Sequence, residues 1–131
     1  MKIFLAGPFH SKEDETRLEQ TYDLLTQKGY SVWWAPKKVQ RGYESDNEEL
    51  LKEINETEEH EIEESDILIT IMKRASFGTA MEIKHAFDHH IPVISYLLSE
   101  HPDFSSGSFK YRVREIVRTD EELLSAIEKY C

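Results

Sequence analysis

The sequence predicts an α/β fold: a parallel sheet of five strands in the order 2-1-3-4-5, with helices packed on both faces. Three observations predict it. Short apolar runs alternate with segments of helical periodicity along the whole chain, the pattern of repeated strand–helix–strand units. The run at residues 66–71, Asp-Ile-Leu-Ile-Thr-Ile, is almost continuously apolar and β-branched, as a strand covered on both faces must be. No linker, repeat or low-complexity segment interrupts the 131 residues, so residues 1–131 read as one domain.

Each element has its own signal. Residues 2–6 are an apolar run stopped by Gly7-Pro8; the run is too short for a secretory leader and reads as the first strand. Leu18, Tyr22 and Leu25 recur at helical spacing within residues 12–28, and Gly29 ends that helix. Residues 30–34 form the second strand, with Trp33 and Trp34 pointing to opposite sides of the sheet. A loop carrying Lys37, Lys38, Arg41 and Gly42 follows, and Tyr43 joins the aromatic residues of core or surface. Leu50, Leu51, Ile54 and Ile62 mark a second helix over 46–64, before the third strand at 66–71. A third helix starts near Ser76 and runs to about His90. Its expected core stripe is Ala80, Ile83, Phe87 and Ile91, which turns His85 and His89 toward solvent. Residues 91–97 are the fourth strand, 100–108 an irregular stretch, and 111–117 the fifth strand; Thr119 caps a last helix ending near Tyr130.

Composition excludes several classes of function. Lysine and arginine total 16 against 26 acidic residues, a net charge of −10, so a nucleic acid polymer is not an expected partner. A single small phosphate, held by a few local donors, remains compatible with that charge. The acid is concentrated between Glu44 and Asp66, where Lys52 is the only lysine or arginine, and most of it reads as a solvated helix face. No apolar run reaches the roughly 18 residues of a membrane span. The one cysteine, Cys131, allows neither an intrachain disulfide nor a cysteine-built zinc site and points to a reducing cytoplasm.

In a sheet of this order ligands bind at the carboxyl ends of the strands where the winding reverses, here between strands 1 and 3. The loops to examine are therefore 7–12 and 72–78. Neither holds a G-x-G-x-x-G dinucleotide fingerprint or a Walker-type phosphate loop. In the later loop Gly78 lets the backbone approach a ligand, and Ser76 either caps the helix or donates to an anion at its free N–H groups. Glu82 follows in or just after the first helical turn, as a nucleophile at the ligand site or as an ordinary cap-strengthening acid. Glu58 lies i+4 from Ile54 and i−4 from Ile62, on the apolar stripe of its helix. It either reaches solvent at the margin of the stripe or pairs with Glu82, and two carboxylates in unlike environments make an acid and a nucleophile. Lys37, Lys38 and Arg41 either hold a phosphate or are solvated loop residues. A further reading joins Glu82, His85 and His89 around a divalent metal.

Several segments together carry a family resemblance. They are Lys2-Ile3-Phe4-Leu5-Ala6-Gly7-Pro8-Phe9, Ser65-Asp66-Ile67-Leu68-Ile69-Thr70, Ser76-Phe77-Gly78-Thr79-Ala80-Met81-Glu82-Ile83, and Ala86 with Ile91-Pro92-Val93-Ile94. This pattern, over roughly residues 1–97, resembles the nucleoside 2-deoxyribosyltransferase superfamily, which includes the 2'-deoxynucleoside 5'-phosphate N-hydrolases. Its most specific part places Glu82 16 residues after Asp66. The fold the resemblance implies is the Rossmann-like, or flavodoxin-like, three-layer sandwich already read from the periodicity. It implies that Glu82 attacks C1' of the sugar to form a covalent glycosyl-enzyme. It also implies that Glu58, eight residues before Asp66, protonates the departing base, although the family commonly has aspartate there.

Ser76, six residues before Glu82, matches the phosphate-recognising hydrolases rather than the free-nucleoside transferases, which carry aspartate there. The substrate-binding set is then Gly7, Phe9 and His10 of the first loop and Ser76 and Gly78 of the third. Ser106, with Ser105 or Ser108 beside it, would enter across a dimer, because family sites are completed by a neighbouring subunit. Two positions depart from the pattern. The hydrolases show serine and arginine where Pro8 and His10 stand, so that His10, Ser11 or Arg17 must substitute, and Lys84 replaces a usual glycine. The activity implied is cleavage of the N-glycosidic bond of a deoxynucleoside 5'-monophosphate, without metal or cofactor, by a homo-oligomer. The alternatives are base exchange between free deoxynucleosides and a nonenzymatic nucleotide-binding module.

Overall fold

The structure, a computed structural model, describes residues 1–35 and 47–131. The basic loop residues Lys37, Lys38 and Arg41, together with Gly42, Tyr43, Glu44 and Asp46, lie outside the described residues. Along the chain come β1 (Lys2–Ala6), α1 (Lys12–Gln27), β2 (Ser31–Trp34), α2 (Glu48–Glu63), β3 (Ile67–Met72) and α3 (Phe77–Asp88). They are followed by β4 (Val93–Leu97), a 3-10 turn (Pro102–Ser105), α4 (Gly107–Arg112), β5 (Glu115–Val117) and α5 (Asp120–Glu128). The strands form one parallel sheet in the order β2-β1-β3-β4-β5, as expected. No helix among the described residues is long and apolar enough to cross a membrane.

Alternation along the strands builds two cores, one on each face. Ile3, Leu5, Trp34, Ile69, Ile71 and Ile94 meet α1 and α5 through Leu18, Leu25, Leu123 and Ile127. Phe4, Ala6, Trp33, Leu68, Met72 and Val93 meet α2 and α3 through Ile62, Ile83 and Ala86. The two tryptophans do face opposite ways, and Trp33 stacks on Phe4 with ring centroids 4.9 Å apart. Where β3 and β4 carry hydroxyls into the core, register pairs them: Thr70 and Ser95 are opposite each other and bond at 2.7 Å. Asp66 opens β3 by accepting from the Lys2 backbone at 2.7 Å, which ties the start of β3 to β1.

Two expectations are corrected. The fifth strand is three residues long, and most of the segment read as strand belongs to α4 and the turn after it. Phe109 and Val113 stand four apart and both pack on the second core, a helical spacing that overrides the strand propensity of Tyr111 and Val113. Tyr111 is left 70% exposed. On α3 the buried stripe is Thr79, Ile83 and Ala86, while Ala80 is exposed and Phe87 half-buried. That small rotation leaves His85 partly covered, 19% exposed, instead of turned to solvent.

Candidate active site

β1 and β3 part company at Gly7, because α1 leaves one face of the sheet and α3 the other. A Cβ at Gly7 would lie 2.5 Å from the Ile71 carbonyl oxygen and 3.1 Å from Leu18 Cδ2, so only glycine lets the loop leave β1 this close to β3. The loop passes along Pro8, Phe9 and His10 into Ser11, which caps α1 by accepting from Asp14 N at 3.1 Å. Above these residues α2 and α3 help enclose a cavity of about 920 Å³, a volume suited to a small metabolite.

Its floor is the carboxyl end of β1 with Gly7–His10 and the end of β2 with Trp34; α2 offers Glu58 and Glu59 and α3 offers Ser76, Gly78, Met81 and Glu82. The structure thus brings Glu82, Glu58, Gly7, Phe9, His10, Ser76 and Gly78 to one cavity. Glu58 is half-buried on the stripe between the buried Ile54 and Ile62. Glu82 is half-buried as a residue, with its carboxyl group enclosed more fully. Burial, and then the charge of Glu58, push the Glu82 carboxyl well above the usual carboxylate range. The α3 N-terminus does little against this. Ser76 is the N-cap, so Glu82 lies in the second turn, beyond the reach of most of the helix dipole.

The Ser76 hydroxyl accepts from Thr79 N at 3.3 Å and donates to Thr79 Oγ1 at 2.8 Å. It is first a cap, and it stands at the cavity wall beside the start of the helix. Gly78 would admit a Cβ without touching anything within 4 Å, so open space rather than crowding adjoins its backbone. Of the candidates for the first-loop anion contact, only His10 lines the cavity. Ser11 is spent on its cap, and Arg17 lies on the other face of the sheet, 4.9 Å over the Tyr96 ring and bonded to Asp120 at 3.2 Å. Lys84 reaches the cavity but is paired with Asp88 at 2.5 Å, and that bond holds Asp88 below its usual range.

The metal grouping read from the sequence changes membership. His85 and His89 do converge, with ring centroids 4.2 Å apart, but the acid beside them is Glu63 of α2; Glu82 turns to the cavity. Glu63 is held below the ordinary carboxylate range, chiefly by its hydrogen bond with His85.

The profile of the nucleoside 2-deoxyribosyltransferase family matches residues 3–115, well over half of the chain. The chain belongs to the nucleoside 2-deoxyribosyltransferase family. Among curated proteins no match was found. Solved structures share the fold, among them the following three. A 2-deoxyribosyltransferase of the psychrotolerant Bacillus psychrosaccharolyticus superposes with a TM-score of 0.82 at 18% identity, over 94% of this chain and 90% of that one. A conserved protein of Enterococcus faecalis V583 gives 0.74 at 18% identity, over 99% and 98%. The CMP N-glycosidase BcmB of Clostridium botulinum gives 0.64 at 21% identity, over 99% and 100%.

The family match runs past Leu98 into the segment where Ser106 lies. Within one chain Ser106 is exposed and lines a second cavity, of about 340 Å³, with Ser108, Phe109 and Arg112. Ser76 lies between the two cavities and lines both. Sequence reasoning had not singled out Glu59, Asn55, Met81 or Asp88, which also line the main cavity. Helical spacing was the available signal: Asn55 and Glu59 flank Glu58 on α2, and Met81, Asp88 and Glu82 share a side of α3.

Proposed function

We propose that this chain cleaves the N-glycosidic bond of a 2'-deoxynucleoside 5'-monophosphate through a glycosyl ester on Glu82. One observation carries the reading: Glu82 and Glu58, from different helices, line one cavity and are close enough for the charge of one to raise the pKa of the other. Coupled carboxyls of this kind share a proton and so supply an acid and a base from the same residue type. In the reaction a Glu82 oxygen bonds to C1' as the C1'–N bond breaks, and Glu58 gives its proton to the departing base nitrogen. Water then attacks C1'; Glu58 takes its proton, the ester bond to Glu82 breaks, and the sugar phosphate leaves.

Burial and the neighbouring Glu58 charge both raise the Glu82 carboxyl, which favours its protonated form. The reactive arrangement has Glu82 charged and the proton on Glu58. A sugar C1' developing positive charge beside Glu82 favours the charged form of Glu82. His10 and the N–H groups at the start of α3, beside Ser76 and Gly78, would hold the 5'-phosphate.

One observation favours a second reading, base exchange between free deoxynucleosides. The cavity carries Glu58, Glu59, Glu82 and Asp88, and its lysine, Lys84, is already paired, which among the described residues suits an uncharged sugar better than a phosphate. The proposed assembly is a homo-oligomer in which Ser106 serves the neighbouring cavity. Phe77, 91% exposed, and Met81, 65% exposed, stand on α3 beside the cavity as apolar surface for such contact.

Chromatography of free base, released from deoxynucleoside monophosphates and from deoxynucleosides with and without an acceptor base, separates the readings. Release from monophosphates without acceptor is the expected result, with a sugar adduct on Glu82 detected by mass spectrometry. Acceptor-dependent release from deoxynucleosides selects base exchange. If every substrate stays intact, both enzymatic readings fall. Nucleotide-induced thermal stabilisation that survives Glu82→Ala would then mark a binding module.

A further inference from the structure

We propose that Glu63, His85 and His89 bind one divalent transition-metal ion of the zinc class, which ties α2 to α3 beside the main cavity. His85 and His89 are four residues apart on α3, so their rings share one side of the helix. Glu59 and Glu63 are four apart on α2 and face them. One donor atom from each of Glu63, His85 and His89 lies within 4.8 Å of the others. A tetrahedral zinc ion with bonds of about 2.0–2.1 Å sets its donors about 3.3 Å apart, so modest side-chain rotation closes the site.

One hydrogen bond already orients the His89 ring as a metal requires. His89 Nδ1 lies 2.9 Å from the His85 carbonyl oxygen. A carbonyl only accepts, so Nδ1 carries the proton and, in the neutral ring, Nε2 keeps its lone pair. His85 Nε2 lies 2.9 Å from Glu63 Oε2, while its Nδ1 is 3.3 Å from Glu59 Oε2. Glu59 thus stands where it can hold an Nδ1 proton while Nε2 binds the ion, the outer-shell arrangement that orients histidine ligands. Two imidazoles and one carboxylate suit zinc, cobalt, nickel or copper and not the all-oxygen shells of magnesium or calcium. Three protein donors leave a fourth position for water.

The competing account is an ion-pair cluster in which a charged His85 sits between Glu59 and Glu63. It places a second histidine 4.2 Å from that charge without using the His89 lone pair. An ion uses both rings and both carboxylates. The site borders the catalytic candidates, since Glu58 adjoins Glu59 and Glu82 precedes His85 by one turn. Binding of the ion does not depend on the reaction proposed for those two residues.

Calorimetric titration of tag-free, chelator-treated protein with zinc chloride tests this. The expected result is one ion per chain at a roughly micromolar Kd, no comparable binding of magnesium, and a Tm raised by several degrees at saturation. Cobalt should give the intense visible absorption of a four-coordinate ion. His89→Gln and Glu63→Gln each weaken zinc binding at least about 10-fold, while His101→Gln, remote in the fold, leaves it unchanged. Both altered ligands are exposed, so the variants fold, which circular dichroism in chelator verifies. No saturable one-to-one binding up to about 1 mM, or unchanged affinity in both ligand variants, overturns the proposal.

Discussion

The two faces of the sheet are built from alternate residues of the same strands, yet they do opposite things. On the face of α1 and α5 the apolar layer is continuous, and at its edge opposite charges meet. Asp120 accepts from Arg17 at 3.2 Å and from the Tyr96 hydroxyl at 2.8 Å, and the Arg17 guanidinium lies 4.9 Å from the Tyr96 ring centroid. On the other face α2 and α3 help enclose a cavity, and the charge that most perturbs Glu82 is another carboxylate. The first face removes electrostatic tension and the second concentrates it. A pair of like-charged groups in a half-enclosed space costs stability, so its presence on one face points to chemistry rather than architecture.

That contrast is broken most directly at Glu82. Glu82→Ala should lower turnover by about 10⁴-fold or more with the fold intact, since it removes the proposed nucleophile. Activity that survived would move the chemistry elsewhere. Glu58→Gln should cost about 10²–10⁴-fold with ordinary nucleosides. The loss should shrink with a base that leaves readily as an anion, because such a base needs no proton. A loss independent of the leaving group would make Glu58 a packing residue.

The closed face should respond in the other currency. Leu123 is fully buried between α5 and the sheet, and Leu123→Ala should lower unfolding free energy by about 2–5 kcal/mol in a denaturant titration. Turnover per folded molecule should stay near that of the unaltered protein. If it falls in step with stability, the faces are mechanically coupled and the comparison fails.

Much of this division was legible in the sequence because it follows from period. The apolar runs at 2–6 and 66–71 mark buried strands, and strand–helix alternation leads to the strand order. Glu58 stood out as an acid on an apolar stripe, and that stripe is where α2 meets the protein. What was not legible depends on how separate elements dock. The rotation of α3 that buries Thr79 and exposes Ala80 brings Glu63, not Glu82, to His85 and His89, and no local spacing reports it. Arg17 is basic and near the first loop in sequence, yet α1 carries it to the opposite face. The segment 107–113 has strand-forming residues, and the core contacts of Phe109 and Val113 decide for helix.

The smallest expected effect is the most specific to the open face. A carboxyl raised above its ordinary value of 4.5 in the folded state keeps its proton where the unfolded chain has lost it. Between those two values the native state binds more protons, so this group's contribution to stability falls as pH rises through the raised pKa. Below pH 4.5 the contribution is fully present. Glu82→Gln has a neutral side chain of the same shape and lacks this loss. Its Tm relative to the unaltered protein should therefore climb as pH increases from 5 to 8. Thermal melts of both proteins across that range measure the difference directly. A difference that stays flat would mean that Glu82 ionises as easily folded as unfolded. The open face would then store no electrostatic tension for the reaction to release.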